Sequence, residues 1–273
     1  MPLPSPKEST TALVTGASSG IGADIARELA RRGHGVTLVA RREDRLKTLA
    51  AELVDAHKIR AEVLAADLTD ADSRGNLPAQ IEAHGLSVDI LVNNAGFSTM
   101  GPVQRADRAA ELAMVRTDVE AVVDLCTLFV AGMVTRQRGA ILNTASTAAF
   151  QPLPGQAGYG ASKAFVLSYS RALGAELRGT GVTVTTLCPG PVETGFAETA
   201  GLTDAEASES LPKFMWVPAA DVAMAAVEGL ANGRSVVIPG AANRATAALA
   251  HLTPKALILP MMAQRHPALK RGH

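Results

Sequence analysis

A glycine-rich turn between a short apolar segment and an amphipathic segment, near the start of the chain, constrains the fold most. Residues 11–14, with the sequence TALV, predict a buried strand, and residues 15–22 follow with the sequence TGASSGIG. Apolar side chains then recur at helical spacing, at Ile21, Ile25 and Leu29. Strand, turn and helix in this order predict an anion-binding site at the helix N-terminus.

The glycines of this turn predict close contact with phosphate groups. Gly16 permits the tight turn, and Gly20 and Gly22 let the backbone approach the phosphates that the free N–H groups face. The spacing is G-x-x-x-G-x-G rather than the G-x-G-x-x-G of the general dinucleotide fingerprint. A bare glycine pattern is unspecific, so its interpretation depends on motifs further along the chain.

Strands and helices alternate along the chain, which predicts an α/β fold with a parallel sheet covered by helices on both faces. Further strands are predicted at residues 36–40, 61–65, 90–92, 140–144, 182–187 and 235–238. The intervening helices are predicted at residues 43–56, 71–83, 106–135 and 156–178. We expect a flexible tail at residues 1–10, one domain at residues 11–240, and an apolar extension at residues 241–273.

A second motif places a phenol and an ammonium group one helical turn apart. Tyr159 and Lys163 share a helix face, because side chains at positions i and i+4 are neighbours. A tyrosine normally keeps its proton up to about pH 10, and a cation beside it favours the phenolate. Ser146, upstream, can hold a carbonyl or alcohol oxygen against the tyrosine. This trio suits proton transfer to an oxygen whose carbon gains or loses a hydride.

Composition excludes several classes of protein. The chain carries 26 basic and 26 acidic residues and has no net charge, so we expect no nucleic-acid partner. Cys126 and Cys188 lack metal-ligand spacing and are interpreted as core thiols, and the histidines form no metal site. The first ten residues lack the apolar region of a signal peptide, and no apolar run could cross a membrane. We therefore expect a cytoplasmic protein.

These motifs together resemble the short-chain dehydrogenase/reductase family, and the similarity covers roughly residues 10–239. The resemblance rests on residues 15–22, the run Asn93–Asn94–Ala95–Gly96, Ser146 with Tyr159 and Lys163, and residues 189–194 with the sequence PGPVET. It implies a single-domain Rossmann-type fold, a doubly wound sheet, and an oxidoreductase that uses NAD(H) or NADP(H), usually as a homodimer or homotetramer. The sequence VIPG at residues 237–240 resembles a subgroup that includes ketoacyl and hydroxysteroid reductases.

The resemblance also implies roles for individual residues. Tyr159 is the acid/base, Ser146 holds the reacting oxygen, and Lys163 lowers the pKa of the phenol and binds the nicotinamide ribose. The residues that match the cofactor-binding positions are Gly16, Ser18, Ser19, Ile21, Asp67, Leu68, Asn94, Ala95, Gly96, Tyr159, Lys163, Pro189, Gly190, Val192 and Thr194. Residues 193–217 correspond to a lid over the substrate, although an ordinary surface excursion is the competing interpretation.

Asp118 departs from the family pattern. It stands where many members have an asparagine that supports a distortion of the long fourth helix, near the catalytic lysine. A carboxylate near Lys163 would partly cancel the pull of the cation on the Tyr159 proton and raise the pKa of the phenol. Alternatively, burial keeps Asp118 protonated, or Asp118 pairs with Arg116 or another cation. We include Asp118 among the catalytic candidates.

Two arginines predict a preference for NADP(H) over NAD(H). An NAD-preferring site has a carboxylate at the end of the second strand, where this chain has Ala40 followed by Arg41 and Arg42. A guanidinium presents a planar fork to a 2′-phosphate, which a carboxylate would repel. Arg41 is the principal candidate.

The substrate is predicted to be an apolar and bulky carbonyl or alcohol. Large apolar residues fall in the loops where this architecture has its pocket, namely Phe97, Phe150, Leu153, Phe196, Met215 and Trp216. The extension at residues 241–273 could pack on the sheet edge, join a subunit interface or touch a membrane surface, and its composition favours packing. A non-catalytic protein that senses NADP(H) is the alternative function. A dehalogenase on the same fold is disfavoured, because the glycine turn is intact.

Overall fold

The computed structural model describes residues 3–192, residues 212–253 and Leu259. Within these residues, seven parallel strands form one sheet. The strands are β1 (Thr10–Thr15), β2 (Val36–Ala40), β3 (Ala61–Ala65), β4 (Ser87–Asn93), β5 (Gly139–Thr144), β6 (Val182–Leu187) and β7 (Val236–Val237). Their spatial order is β3-β2-β1-β4-β5-β6-β7. The order reverses between β1 and β4, and open α/β sheets bind their ligands at the carboxyl ends of the strands at such a point.

The helices cover both faces of the sheet. They are α1 (Gly20–Arg31), α2 (Glu43–His57), α3 (Ala71–Gly75), α4 (Leu77–Ala83), α5 (Arg108–Val115), α6 (Ala121–Thr135), α7 (Ala157–Glu176), α8 (Ala219–Ala231) and α9 (Ala241–Leu252). One buried apolar layer joins the sheet to α1, α2 and α8, and a second joins it to α4, α6 and α7. The predicted doubly wound parallel sheet is therefore confirmed.

The helix predicted at residues 71–83 is wrong as one element, because it is interrupted at Asn76. Asp70 caps α3 by accepting from the N–H groups of Asp72 and Ser73 at 3.2 and 3.3 Å. Pro78 has no N–H group to donate to the Arg74 carbonyl, so it is tolerated in the first turn of α4 but not inside a longer helix. The chain therefore starts a new helix there.

The long helix predicted at residues 106–135 begins two residues later and contains a distortion. Asp107 caps α5 by accepting from the Ala109 N–H group at 2.8 Å. The segment Arg116–Glu120 between α5 and α6 is one turn of π-helix, and it carries the buried Asp118. Turns of this kind are frequent at functional sites.

A buried guanidinium ties the loop after β3 to α6. Arg74 is only 2% exposed and donates to the Leu68 carbonyl oxygen at 2.7 Å. It also donates to the carboxylates of Asp124 and Glu120. The loop that carries Asp67 and Leu68 is thus anchored near the π-turn.

Both cysteines are buried and free. Cys126 lies in α6 and Cys188 directly follows β6. Burial raises the pKa of the Cys126 thiol to about 11 and that of the Cys188 thiol to about 12. Among the helices of the described residues, none has the length and apolarity needed to cross a bilayer.

Candidate active site

The glycine turn after β1 is packed so closely that side chains would not fit in it. Gly16 and Gly20 adopt φ values of 67° and 56°, which disfavour other residues. A Cβ atom at Gly22 would lie 2.4 Å from both the Asn94 Nδ2 atom and the Gly16 carbonyl oxygen. At these glycines no side chain covers the backbone where α1 begins.

The N-terminus of α1 is ready to accept an anion. Ser19 occupies the N-cap position without forming a side-chain cap, and the first turn contains no acidic residue. The Arg42 guanidinium lies over this end of the helix and donates to Ser18 Oγ at 2.9 Å and to Ser19 Oγ at 2.8 Å. A guanidinium and a helix N-terminus are both positive, so their proximity fits a phosphate between or beside them.

The two arginines after β2 differ in their surroundings. The sequence favours Arg41 as the partner of a 2′-phosphate, whereas Arg42 makes the contacts with the glycine turn. Arg41 lies near Asp67, whose carboxylate accepts from the Thr69 N–H and hydroxyl groups, both at 2.9 Å. The Thr69 N–H is the main cause of the lowered pKa of Asp67, and the Arg41 charge adds to it. Arg42 is thus a further candidate site residue, which the sequence signals only by its position next to Arg41.

The segment after β4 borders the site at the point where the strand order of the sheet reverses. Thr15 Oγ1 accepts from the N–H groups of Asn94 and Ala95 at 3.0 and 3.1 Å. Asn94 Nδ2 also donates to the Thr15 carbonyl oxygen at 3.2 Å. These bonds fix Asn94 and Ala95, which are candidate cofactor-binding residues, to the glycine turn. The turn, the helix N-terminus and Arg42 together fit the phosphates of a dinucleotide.

The proposed catalytic trio lies at the carboxyl end of β5. Ser146 follows β5 and is 9% exposed, and its Oγ accepts from the Ala148 N–H group at 3.1 Å. Tyr159 and Lys163 lie in the first two turns of α7, and the Lys163 Nζ atom is 5.6 Å from the centre of the Tyr159 ring. Lys163 also donates to the Thr144 carbonyl oxygen at 3.2 Å. The three side chains that the sequence singled out are therefore brought together.

Asp118 forms an ion pair with Lys163. The Asp118 Oδ2 atom lies 3.0 Å from the Lys163 Nζ atom, and its Oδ1 atom accepts from the Phe97 N–H group at 3.1 Å. Asp118 is fully buried and Lys163 nearly so. A Cβ atom at Gly96 would lie 2.8 Å from Asp118 Oδ1, so glycine leaves room for this pair. Pairing with Lys163 rather than Arg116 is the alternative that the structure realises.

The charges of this cluster act on the phenol in opposite directions. Burial raises the pKa of Tyr159, the Lys163 cation lowers it, the Asp118 carboxylate raises it, and a hydrogen bond with Ser146 lowers it. The net direction is upward, so the lysine offsets only part of the effect of burial. Burial likewise raises the pKa of Asp118. Burial lowers the pKa of Lys163, because it disfavours the charged form. The opposing effects of Asp118 and Tyr159 are larger, so the pKa of Lys163 is raised.

The loop after β6 lies against Ser146, the candidate catalytic serine. The Pro189 carbonyl oxygen accepts from the Thr147 N–H group at 2.9 Å and from Ser146 Oγ at 3.5 Å. Val192 forms a parallel bridge with Val217, and the Val217 N–H donates to the Pro191 carbonyl oxygen at 3.1 Å. The candidates Thr194 and Phe196, and most of the predicted lid, lie outside the described residues.

The predicted apolar pocket residues are only partly buried. This group consists of Phe97, Phe150, Leu153, Met215 and Trp216. Met215 and Trp216 lie near the Val192–Val217 bridge, whereas Phe97 is held by its N–H contact with Asp118. Apolar side chains of this kind commonly line the binding pockets of apolar ligands.

Comparison with known proteins identifies relatives of the chain. The family model for short chain dehydrogenases matches residues 10–205. A protein of Streptomyces virginiae, named as a ketoacyl reductase of the monensin polyketide synthase, is 43% identical over 70% of this chain and 73% of its own length. The chain spans between 52% and 79% of the length of several curated relatives that it matches.

Solved structures share both fold and sequence similarity with the chain. A short-chain dehydrogenase from Sphingobium yanoikuyae in complex with NADPH is 32% identical, with a TM-score of 0.78 over 95% of this chain and 97% of the other. The bulky-bulky ketone specific alcohol dehydrogenase from Comamonas testosteroni is 29% identical, with a TM-score of 0.74 over 100% of both chains. The similarity therefore extends beyond the region that the family model covers.

Proposed function

The chain belongs to the short-chain dehydrogenase/reductase family of oxidoreductases, and we propose that it reduces a bulky ketone or aldehyde to an alcohol with NADPH. The observation that carries this proposal is the cluster of Ser146, Tyr159 and Lys163 at the carboxyl end of the sheet, beside a bare glycine turn. A homodimer or homotetramer in the cytoplasm remains our expectation for its state and location.

Each side chain of the trio has a separate role in the proton transfer. NADPH, when bound, supplies the hydride that reaches the carbonyl carbon. Ser146 donates a hydrogen bond to the carbonyl oxygen, and Tyr159 transfers its hydroxyl proton to that oxygen as the hydride arrives, which gives the alcohol. The phenolate of Tyr159 then regains a proton from water. Lys163 stabilises the phenolate by its charge and would hold the ribose of a bound cofactor.

The surroundings of the phenol favour its protonated form, which is the form that reduction needs. Burial and Asp118 raise the pKa of Tyr159, so the phenol is protonated at neutral pH and can act as the acid. Alcohol oxidation requires the phenolate as a base, which becomes abundant only at higher pH. We therefore propose that this enzyme is a reductase under ordinary conditions.

A carbonyl panel tests the proposal. With purified protein and NADPH, we expect steroid ketones and long-chain acyl ketones to be reduced with higher kcat/KM than small hydrophilic aldehydes. The partly exposed group of apolar candidate residues supports this order, as does the bulky ketone specificity named for the Comamonas testosteroni relative. Better turnover of the small aldehydes would contradict the substrate class. Binding of NADPH without turnover of any carbonyl would favour the sensor alternative.

We expect Arg42→Ala to reduce the affinity for NADPH by about tenfold or more, because a hydrogen bond to a charged group contributes about 1.5–3 kcal/mol. The affinity for NADH should fall less, since NADH lacks the 2′-phosphate and offers Arg42 only the pyrophosphate. Fluorescence titration of both cofactors measures this, with Arg41→Ala tested in parallel. Arg45→Ala is the matched control, because Arg45 is exposed in α2. Equal affinities for the two cofactors, unaffected by Arg42→Ala and Arg41→Ala, would exclude the NADP(H) preference.

We expect Asp118→Asn to move the alcohol-oxidation limb of the pH–rate profile to lower pH. The carboxylate raises the pKa of Tyr159, so its removal lets the phenolate form at a lower pH. In the same variant, the rate of carbonyl reduction should begin to fall at a lower pH than in the parent as the pH is raised, because the Tyr159 proton is lost earlier. Full pH–rate profiles in both directions measure the shift. Superimposable profiles would mean that Asp118 carries no charge that the phenol senses.

A further inference from the structure

The C-terminal helix brings a buried amide up against the loop after β6. Asn243, in the first turn of α9, is only 1% exposed. Its Nδ2 atom donates to the Met215 carbonyl oxygen at 2.9 Å and to the Pro239 carbonyl oxygen at 3.2 Å. Both protons of the amide are thus used to hold backbone segments that lie far apart in the sequence.

Gly190 packs directly on this amide. A Cβ atom at Gly190 would meet the Asn243 Cγ and Oδ1 atoms at 2.4 Å and the Nδ2 atom at 2.5 Å, and these are its three nearest neighbours. Gly190 is not among the glycines with positive φ, so its backbone conformation would accept alanine. The space taken by the Asn243 amide is therefore what requires glycine at this position.

A chain of contacts links this amide to the catalytic serine. Gly190 follows Pro189, whose carbonyl oxygen accepts from Ser146 Oγ and from the Thr147 N–H group. On the other side, Met215 precedes the Val192–Val217 bridge by two residues. A displacement of the amide would therefore shift the loop of residues 189–192 and, with it, the contact that this loop makes with Ser146.

We propose that Asn243 is a positioning residue, which fixes the loop of residues 189–192 between Ser146 and the segment that carries Met215. The inference rests on the proposed NADPH-dependent reduction, since Pro189, Gly190 and Val192 are candidate cofactor-binding residues of that reaction. Asn243 acts through Gly190 and Met215 and does not itself touch the reacting atoms. The C-terminal extension thereby takes part in shaping the active site.

A double-mutant cycle tests the steric part of the proposal. Gly190→Ala alone should lower kcat by about tenfold to a hundredfold, because a misplacement of about 1 Å can have an effect of that size. Asn243→Ala removes the three atoms that the new Cβ would meet. The pair Gly190→Ala/Asn243→Ala should therefore be more active than Gly190→Ala alone, which is a coupling that independent sites do not show. An additive loss in the pair would overturn the proposal.

Two further variants separate positioning from general stability. Asn243→Asp keeps the shape of the side chain but cannot donate two hydrogen bonds to carbonyl oxygens, so we expect a lower kcat and a raised KM for NADPH. Thr246→Ala, on the exposed side of α9, is the matched control and should retain the parental constants. If Asn243→Ala and Asn243→Asp lower only the melting temperature and leave kcat and KM of the folded enzyme unchanged, the role is structural and the proposal fails. An inactive parent that binds no NADPH would instead refute the proposed function.

Discussion

Replacement of Tyr159 by phenylalanine is expected to reduce kcat by about 10²- to 10⁴-fold, the usual contribution of a general acid. The substitution removes the proton donor but keeps the ring, so NADPH affinity should stay close to that of the parent. Steady-state kinetics with a reducible ketone, together with fluorescence titration of NADPH, separate the two quantities.

The chain offers an internal control for this substitution. Its second tyrosine, Tyr169, lies on the same helix and stacks on Phe165 with ring centres 6.0 Å apart. Tyr169→Phe removes the same hydroxyl group at a distance from the trio and should leave kcat nearly unchanged. Near-normal turnover by Tyr159→Phe would remove the basis of the mechanism.

Lys163→Met is expected to reduce both activity and stability strongly. Among the residues that the structure describes, it leaves the fully buried Asp118 carboxylate with the Phe97 N–H group as its remaining partner. Breaking a buried ion pair by removal of one partner typically destabilises a protein by about 3–5 kcal/mol. We expect urea unfolding to show a loss in this range at neutral pH. The loss should shrink as the pH falls, because a protonated Asp118 no longer needs the cation.

The double variant Lys163→Met/Asp118→Asn distinguishes the two roles of the lysine. The amide carries no charge, so most of the lost stability should return, whereas turnover should remain low because the phenolate still lacks its cation. Lys58→Met is the control, since Lys58 forms an exposed ion pair with Asp55 at 3.2 Å and such pairs contribute little. Equal stability of Lys163→Met and the parent would show that the buried pair is not charged.

The sequence predicted the sheet well because each strand is short, apolar and bounded by turn residues. The helices were less certain where local chemistry competes with periodicity. Pro78 starts a new helix, which the apolar spacing of the segment does not reveal. α8 was absent from the predicted helices, although Val222, Ala226 and Leu230 recur at helical spacing and could have indicated it.

The candidate site could be predicted in its residues but not in its contacts. Spacing brought Tyr159 and Lys163 to one helix face, and the resemblance pointed to Asp118. The 3.0 Å pair between Asp118 and Lys163 depends on how the π-turn packs against α7, which no local pattern encodes. The same limit applies to Arg42, whose guanidinium is held by hydrogen bonds with the glycine turn. It applies also to Asn243, which lies far from Gly190 in the sequence and contacts it only through the tertiary fold.

The burial of both thiols has a practical consequence for labelling. Thiol reagents react with the thiolate, and the pKa of Cys126 and that of Cys188 are raised to about 11 and about 12, so little thiolate is present at neutral pH. The chain contains only these two cysteines. A cysteine introduced on the exposed face of α2 would therefore be the single reactive thiol of the folded protein. A fluorophore could be attached there without removal of either native cysteine.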